Sequence, residues 1–167
     1  MSDVTIRSVG IDDVLEVRAA VLRPGKPADA ARFRGDEDPR SLHLAASRAD
    51  GSTIGVVTVV LEAPGPAAAD VLAGTLDPEG RAWRLRGMAV VESAQRRGIG
   101  RMLVSEALER LTAEERGPRG MFLHARAWVL GFYERLGFTG VGASFEVPGV
   151  GPHVMMVMRF DGANEPR

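Results

Sequence analysis

A mixed α/β sheet with helices on its faces is the fold class this chain predicts, and three observations predict it. Apolar runs of strand type alternate with segments of helical spacing along the sequence. Their order is strand, helix, three strands, helix, strand, helix, two strands, which makes a largely antiparallel central sheet of about seven strands. The chain has 167 residues and neither an internal repeat nor a long linker, so one domain over residues 1–160 with a polar tail at 161–167 is expected.

Val4 to Val9 reads as the first strand. Ile11-Asp12-Asp13 then opens a helix, with acidic residues in the first turn where the dipole favours them. Ile11, Val14, Leu15, Arg18 and Leu22 follow helical spacing, and Arg23-Pro24-Gly25 stops the run. Gly25 to Arg40 reads as a long polar loop of the kind that often carries function. Leu42 to Ala46 and Ile54 to Leu61 are strands, joined through the hairpin signal Asp50-Gly51-Ser52.

Ala63 to Gly80 is rich in Pro, Ala and Gly and reads as a mobile excursion. Ala82 to Val91 is a strand with Trp83, Leu85 and Gly87 on one face and Arg84, Arg86 and Met88 on the other. Ile99 to Arg116 reads as a helix that buries Ile99, Leu103, Ala107, Leu108 and Leu111 and pairs Glu106 with Arg110. Gly117-Pro118 stops it. Met121 to Leu123 is a short strand, and Trp128 to Leu136 a short helix closed by Gly137. Thr139 to Val147 and His153 to Phe160 are the last two strands. Trp83, Trp128 and Phe132 are expected in the core.

Gln95-Arg96-Arg97-Gly98-Ile99-Gly100 stands where a strand turns into a helix start. Helix starts carry unpaired N–H groups and the positive end of the dipole, both suited to phosphate. Two glycines remove Cβ atoms that would keep a phosphate off the backbone, and Arg96, Arg97 and Arg101 add charge-assisted donors. The segment is thus a candidate pyrophosphate cradle.

Composition narrows the function classes. A net charge of −1 gives no support for nucleic-acid binding. The absence of cysteine excludes disulfides, cysteine–zinc sites and a thiol nucleophile, and no metal site is expected. No apolar run reaches transmembrane length and the N-terminus lacks a signal-peptide core, so no membrane partner and a cytoplasmic location are expected.

The element order, with Gln95, Gly98 and Gly100 meeting the pattern Q/R-x-x-G-x-G/A after the fourth strand, resembles the GNAT (Gcn5-related N-acetyltransferase) superfamily. Arg86-Gly87-Met88-Ala89-Val90 is similar to that family's fourth strand. Gly131-Phe132-Tyr133-Glu134-Arg135-Leu136-Gly137-Phe138 is similar to its second signature. Val21 to Gly25 and Gly151 to Met156 resemble a group of uncharacterised bacterial members. Two departures stand out. Arg126 occupies the position of an Asn that often helps hold the cofactor, and Val129 that of a small residue. Arg96 also stands where the turn often has glycine, and a positive φ would be strained there.

The resemblance implies acetyl-CoA, or another acyl-CoA, as co-substrate. It implies that the backbone of Met88, Ala89 and Val90 pairs with the pantetheine amides. It implies that the amides of Gln95, Arg96, Arg97, Gly98, Ile99, Gly100 and Arg101 hold the pyrophosphate. It places Tyr133, the single tyrosine, as the acid that protonates the leaving thiolate. An amine would attack the thioester directly, with Glu62, Glu92, His43, His124 and His153 all open as its base, His124 ranked first for its place at the end of the fifth strand. The acceptor is expected to be a small-molecule amine. A protein N-terminus or lysine, and a CoA-binding regulatory module without turnover, remain alternatives, and a homodimer is compatible with the resemblance.

Overall fold

The structure, a computed structural model, describes residues 3–160. The proposed tail at 161–167 lies outside the described residues. Seven strands form one sheet in the order β1-β2-β3-β4-β5-β7-β6. They are β1 Val4–Ser8, β2 Leu42–Arg48, β3 Thr53–Glu62, β4 Ala82–Val90, β5 Gly120–Arg126, β6 Thr139–Val147 and β7 Gly151–Arg159. Four α-helices accompany them: α1 Ile11–Leu22, α2 Pro66–Val71, α3 Ile99–Thr112 and α4 Leu130–Arg135. β4 and β5 run parallel; β1–β2, β2–β3, β5–β7 and β6–β7 are antiparallel. Among the described residues no helix is long and apolar enough to cross a membrane. The chain divides into two compact units, Met1–Val60 with Leu85–Ala113, and Leu61–Arg84 with Glu114–Arg167.

In the first unit, α1 lays Val14 and Val17 on Ala45, Val56 and Ala89. Burying an aliphatic side chain of this size contributes about 1.5–3 kcal/mol. Gly55 pairs with Ala46 and so faces the other side of the sheet from Val56. A Cβ there would meet Ile99 Cγ2 at 2.9 Å and Leu103 Cδ1 at 3.1 Å, so the missing side chain is what lets α3 approach. Helices therefore cover both faces.

α3 ends at Thr112, four residues earlier than expected. Thr112 Oγ1 donates back to the Leu108 and Glu109 carbonyls, and the Ala113 N–H makes the last helical bond, to the Glu109 carbonyl. Glu114 and Glu115 would also place negative charge at the negative end of the dipole. Val104 joins the buried stripe of α3 and Leu108 is half-buried instead. The Glu106–Arg110 pair forms at 2.7 Å.

In the second unit the Ala63–Gly80 segment is structured, against expectation. Pro66 starts α2 at the position where its missing N–H costs nothing. Ala68 and Leu72 then pack with Ala82, Phe122 and Val157. Beyond the helix, Thr75 accepts Arg119 N–H on its carbonyl at 2.7 Å, and Asp77 takes the Arg81 guanidinium at 2.8 Å. β5 runs past Leu123 to Arg126 because β7 pairs along it, ending at Arg126 opposite His153. Val157 faces α2. Met158, the next residue, faces the other way, and its Cε lies 3.3 Å from where a Cβ on Gly137 would sit. The end of α4 and the helix α2 thus lie on opposite faces. A 3-10 turn at Ala127–Val129 splits the helix expected over Trp128 to Leu136. Trp128 is 64% exposed rather than core, its ring flanked by the Arg126 guanidinium at 5.7 Å.

Candidate functional site

The turn after β4 is built to leave amides unpaired. A 3-10 turn at Glu92–Ala94 uses up the Ala94 and Gln95 N–H groups, which donate to Val91 and Glu92 carbonyls. The Gln95 side-chain amide donates to the Val90 carbonyl at 2.9 Å and pins the turn to the end of β4. From Arg96 to Arg101 no backbone N–H has a protein acceptor among the described residues. The first bond of α3 is Met102 N–H to Gly98 carbonyl. The set of free amides therefore begins at Arg96, one residue later than the sequence suggested, since the Gln95 amide is already engaged.

Backbone conformation supports the same arrangement. Gly98 is the N-cap of α3 at φ +80, with nothing within 4 Å of the position a Cβ would take, and so leaves a side chain's space empty. Arg96, at φ +59, is the one non-glycine residue with positive φ among the described residues. Such strain persists where the surroundings over-determine it, typically at ligand sites. Ile99 is buried and anchors the turn, while Arg96, Arg97 and Arg101 are exposed and have no ion pair among the described residues. A cavity of about 400 Å³ lies beside the turn, lined by Arg48, Asp50, Ile54, Ala94, Arg97 and Ile99 among others.

Met88, Ala89 and Val90 end β4, with Ala89 buried and its neighbours half-buried. The parallel ladder of β4 with β5 comprises only Trp83–Met121 and Arg84–Phe122. Just before Met88, Gly87 bends the strand at φ +62. Beneath it lies a buried polar network that sequence reading missed. Arg18 is fully buried, bonds Asp36 at 2.7 Å and donates to Thr58 Oγ1 at 2.6 Å and to the Ala31 carbonyl at 2.9 Å. His43 completes it, with Nε2 donating to the Asp36 carbonyl at 2.9 Å and Nδ1 accepting from Thr58 at 2.8 Å. Both ring nitrogens of His43 are thus committed to structure. Phe33 stands among three guanidiniums, with Arg18 at 4.6 Å, Arg86 at 4.5 Å and Arg23 at 5.7 Å from its ring centre.

In the second unit, Tyr133 on α4 is 7% exposed and packs edge-on against Phe132 and Phe138. Burial pushes its phenol up to about 12, so the hydroxyl is a proton donor throughout the neutral range. Glu62, Arg84 and His124 form a chain: Arg84 bonds Glu62 at 2.8 Å and donates to His124 Nδ1 at 3.2 Å. A guanidinium only donates, so the Nδ1 lone pair is occupied and neutral His124 carries its proton on Nε2. His153 on β7 has the opposite tautomer, since Nδ1 lies 2.9 Å from the Gly151 carbonyl, which only accepts. Glu92 is exposed in the turn after β4. Among the described residues no three His, Cys, Asp or Glu side chains are grouped to hold a metal ion.

Known proteins resemble this chain in sequence and in fold. Residues 29–160 match the acetyltransferase (GNAT) domain family. The chain is 29% identical over 151 residues to the uncharacterized N-acetyltransferase YitI of Bacillus subtilis, covering 90% of this chain and 93% of that one. Among solved structures, Arabidopsis thaliana NAA60 in complex with acetyl-CoA superimposes with a TM-score of 0.73 at 19% identity, over 95% of this chain and 99% of that one. Escherichia coli ElaA gives 0.68 at 19% identity over 94% and 99%.

Proposed function

The chain belongs to the GNAT acetyltransferase family, an acyl-CoA-dependent N-acetyltransferase, and from that premise we propose that it moves an acetyl group from acetyl-CoA to a primary amine of a small molecule. We assign the activity to one domain over residues 1–160. Acetyl-CoA supplies the activated acyl thioester. The amides of Arg96 to Arg101 hold its pyrophosphate, helped by the three arginines of the turn, and the end of β4 at Met88, Ala89 and Val90 offers backbone groups to the pantetheine arm. Tyr133 donates to the leaving sulfur.

The observation that carries the reading is the run of unpaired amides from Arg96 to Arg101, opened by an N-cap without a side chain. Backbone donors held in place cost no reorganisation when an anion arrives. The buried phenol suits its role for a related reason. In a dry environment both phenolate and thiolate are penalised, so donation from Tyr133 to sulfur is less uphill than their aqueous values imply.

Titration calorimetry with acetyl-CoA tests the cradle. A Cβ on Gly98 meets no protein atom, but any L-residue there is strained at φ +80. Gly98→Ala therefore serves as the control for backbone strain, and a further loss of affinity in a folded Gly98→Val reports a blocked ligand. Unchanged affinity would remove the turn as the cofactor site. Free-thiol release over a panel of small amines tests the acceptor, and turnover of peptides alone would move the assignment to protein acetylation.

A further inference from the structure

We propose that His153 is the general base of the acetyl transfer, and that it serves an acceptor whose carboxylate is held by Arg126. This rests on the acetyl-transfer reading above and adds the group that prepares the amine and the chemical class of that amine.

The hydrogen bonds discriminate among the five base candidates. His43 has both nitrogens engaged. His124 has its Nδ1 lone pair taken by Arg84, and Glu62 is ion-paired to the same guanidinium. Glu92 lies in the turn assigned to phosphate, where an added base has no amine to meet. His153 is different: Nδ1–H is fixed on the Gly151 carbonyl, so the neutral ring presents its lone pair on Nε2. Nε2 has no hydrogen-bond partner among the described residues, and the residue keeps 7% of its surface exposed. A carbonyl that sets the tautomer and orients the ring is what a base requires.

The sheet supplies the rest. His153 pairs with Arg126 of β5 on one side and with Phe145 of β6 on the other, so the three side chains share one face. Phe145 stacks on the His153 ring with centroids 6.0 Å apart, and is 37% exposed. His124 lies beyond it, edge-on to Phe145 at 5.2 Å. Arg126 is the charged group that faces His153 from the neighbouring strand, and it has no ion pair among the described residues. Adjacent strands lie ~4.8 Å apart. A base and an unpaired cation at that spacing suit a molecule with an amine near a carboxylate, and oppose a polyamine, whose second ammonium would meet Arg126.

The acceptor ammonium gives one proton to His153 Nε2, and the neutral nitrogen forms its bond to the acyl carbon. The carbon–sulfur bond breaks with its electron pair on sulfur, which takes a proton from Tyr133. The second nitrogen proton, lost as the amide forms, passes through solvent to the Tyr133 phenolate and restores the phenol, and the proton on His153 leaves to solvent.

Steady-state kinetics with an amine panel, read as free thiol, tests the assignment. His153→Ala and His153→Asn should each lower kcat by ~10²-fold or more, with acetyl-CoA affinity unchanged by calorimetry. Asn keeps a donor for the Gly151 carbonyl, so equal losses separate the base from the structural bond. Imidazole in the medium should restore part of the rate to His153→Ala, which repair of a packing defect would not do. Arg126→Gln should raise KM for aminocarboxylates by ~10-fold with little change in kcat. Full activity in either His153 variant, no imidazole rescue, or faster turnover of polyamines than of aminocarboxylates would overturn this proposal while leaving acetyl transfer intact. If the wild-type chain binds no acetyl-CoA, the underlying reading falls and this one with it.

Discussion

The Arg18 guanidinium occupies the space that a side chain on Gly87 would need. A Cβ built on Gly87 would lie 2.8 Å from Arg18 Nε and 3.2 Å from both Cζ and Nη2. The guanidinium cannot retreat, because Asp36, Thr58 and the Ala31 carbonyl hold it. The bend of β4 just before Met88 and a buried ion pair therefore depend on one another. Gly87→Ala should destabilise the fold by about 2–4 kcal/mol, combining the cost of an L-residue at φ +62 with the collision. Urea unfolding measures it. In an Arg18→Met background no hydrogen bond holds the side chain against Gly87, so it can give way and the same substitution should cost little beyond the backbone part, about 1–2 kcal/mol.

Removing Arg18 alone strands Asp36, which is 4% exposed and accepts two guanidinium bonds and the Phe33 N–H. Arg18→Met should cost about 3–5 kcal/mol, because an unpaired buried carboxylate remains. Arg18→Met with Asp36→Asn should recover part of that loss. Chemical denaturation of Arg18→Met, Asp36→Asn and the double variant decides it, and additive losses would exclude the pairing as their cause.

These residues also mark how far the sequence was legible. Strand and helix identities followed from periodicity, and the turn at Gln95 to Gly100 followed from glycine and arginine placed between a strand and a helix. Arg18 stood in the apolar stripe of α1 by spacing alone, yet its partners lie 18 and 40 residues away in sequence, and no local pattern names them. α2 was hidden because Ala68 and Leu72 have no periodic run of their own; their burial comes from Phe122 and Val157. Trp128 looked like core because large aromatics usually bury, and its exposure follows from a 3-10 turn that composition does not signal. Tautomers, which separate His124 from His153, exist only once the folded chain sets their neighbours.

Arg96 offers a test of strain held for function. At φ +59 its side chain is exposed and makes no ion pair among the described residues. Arg96→Gly relieves the left-handed penalty of about 1–2 kcal/mol and gives back part of it as unfolded-state entropy. The melting temperature should rise, by the equivalent of ~0.5–1 kcal/mol. Acetyl-CoA affinity should fall with a reduced salt dependence, because one guanidinium is lost while the amide stays. A lower melting temperature would mean that the arginine side chain, not the backbone, holds the turn.

Tyr133 is the only tyrosine, so phenolate absorbance reports on it alone. Its midpoint in the folded protein should lie at about 12, and near 10 once the chain is unfolded in denaturant. The raised value has a consequence for stability. Between the two values the unfolded chain releases a proton that the folded chain keeps, so stability is full below the unfolded value and falls as pH rises toward 12. The Tyr133→Phe variant should lack that part of the alkaline slope. A folded midpoint near 10 would show that the ring is not desolvated.

Tyr133→Phe also separates proton donation from packing. The substitution keeps the edge-on contacts with Phe132 and Phe138, and the phenol hydroxyl has no hydrogen-bond partner among the described residues to lose. Stability at neutral pH should therefore change by less than ~0.5 kcal/mol. Catalysis should not be abolished, because holding the amine against the thioester is itself a large share of the acceleration. A fall in kcat of ~10²-fold with acetyl-CoA affinity unchanged is the expected pattern for a lost general acid. Acyl donors with more acidic thiol leaving groups should narrow the gap between variant and wild type, since a better leaving group needs less protonation. If the deficit is independent of the leaving group, Tyr133 positions the donor and another group protonates the sulfur.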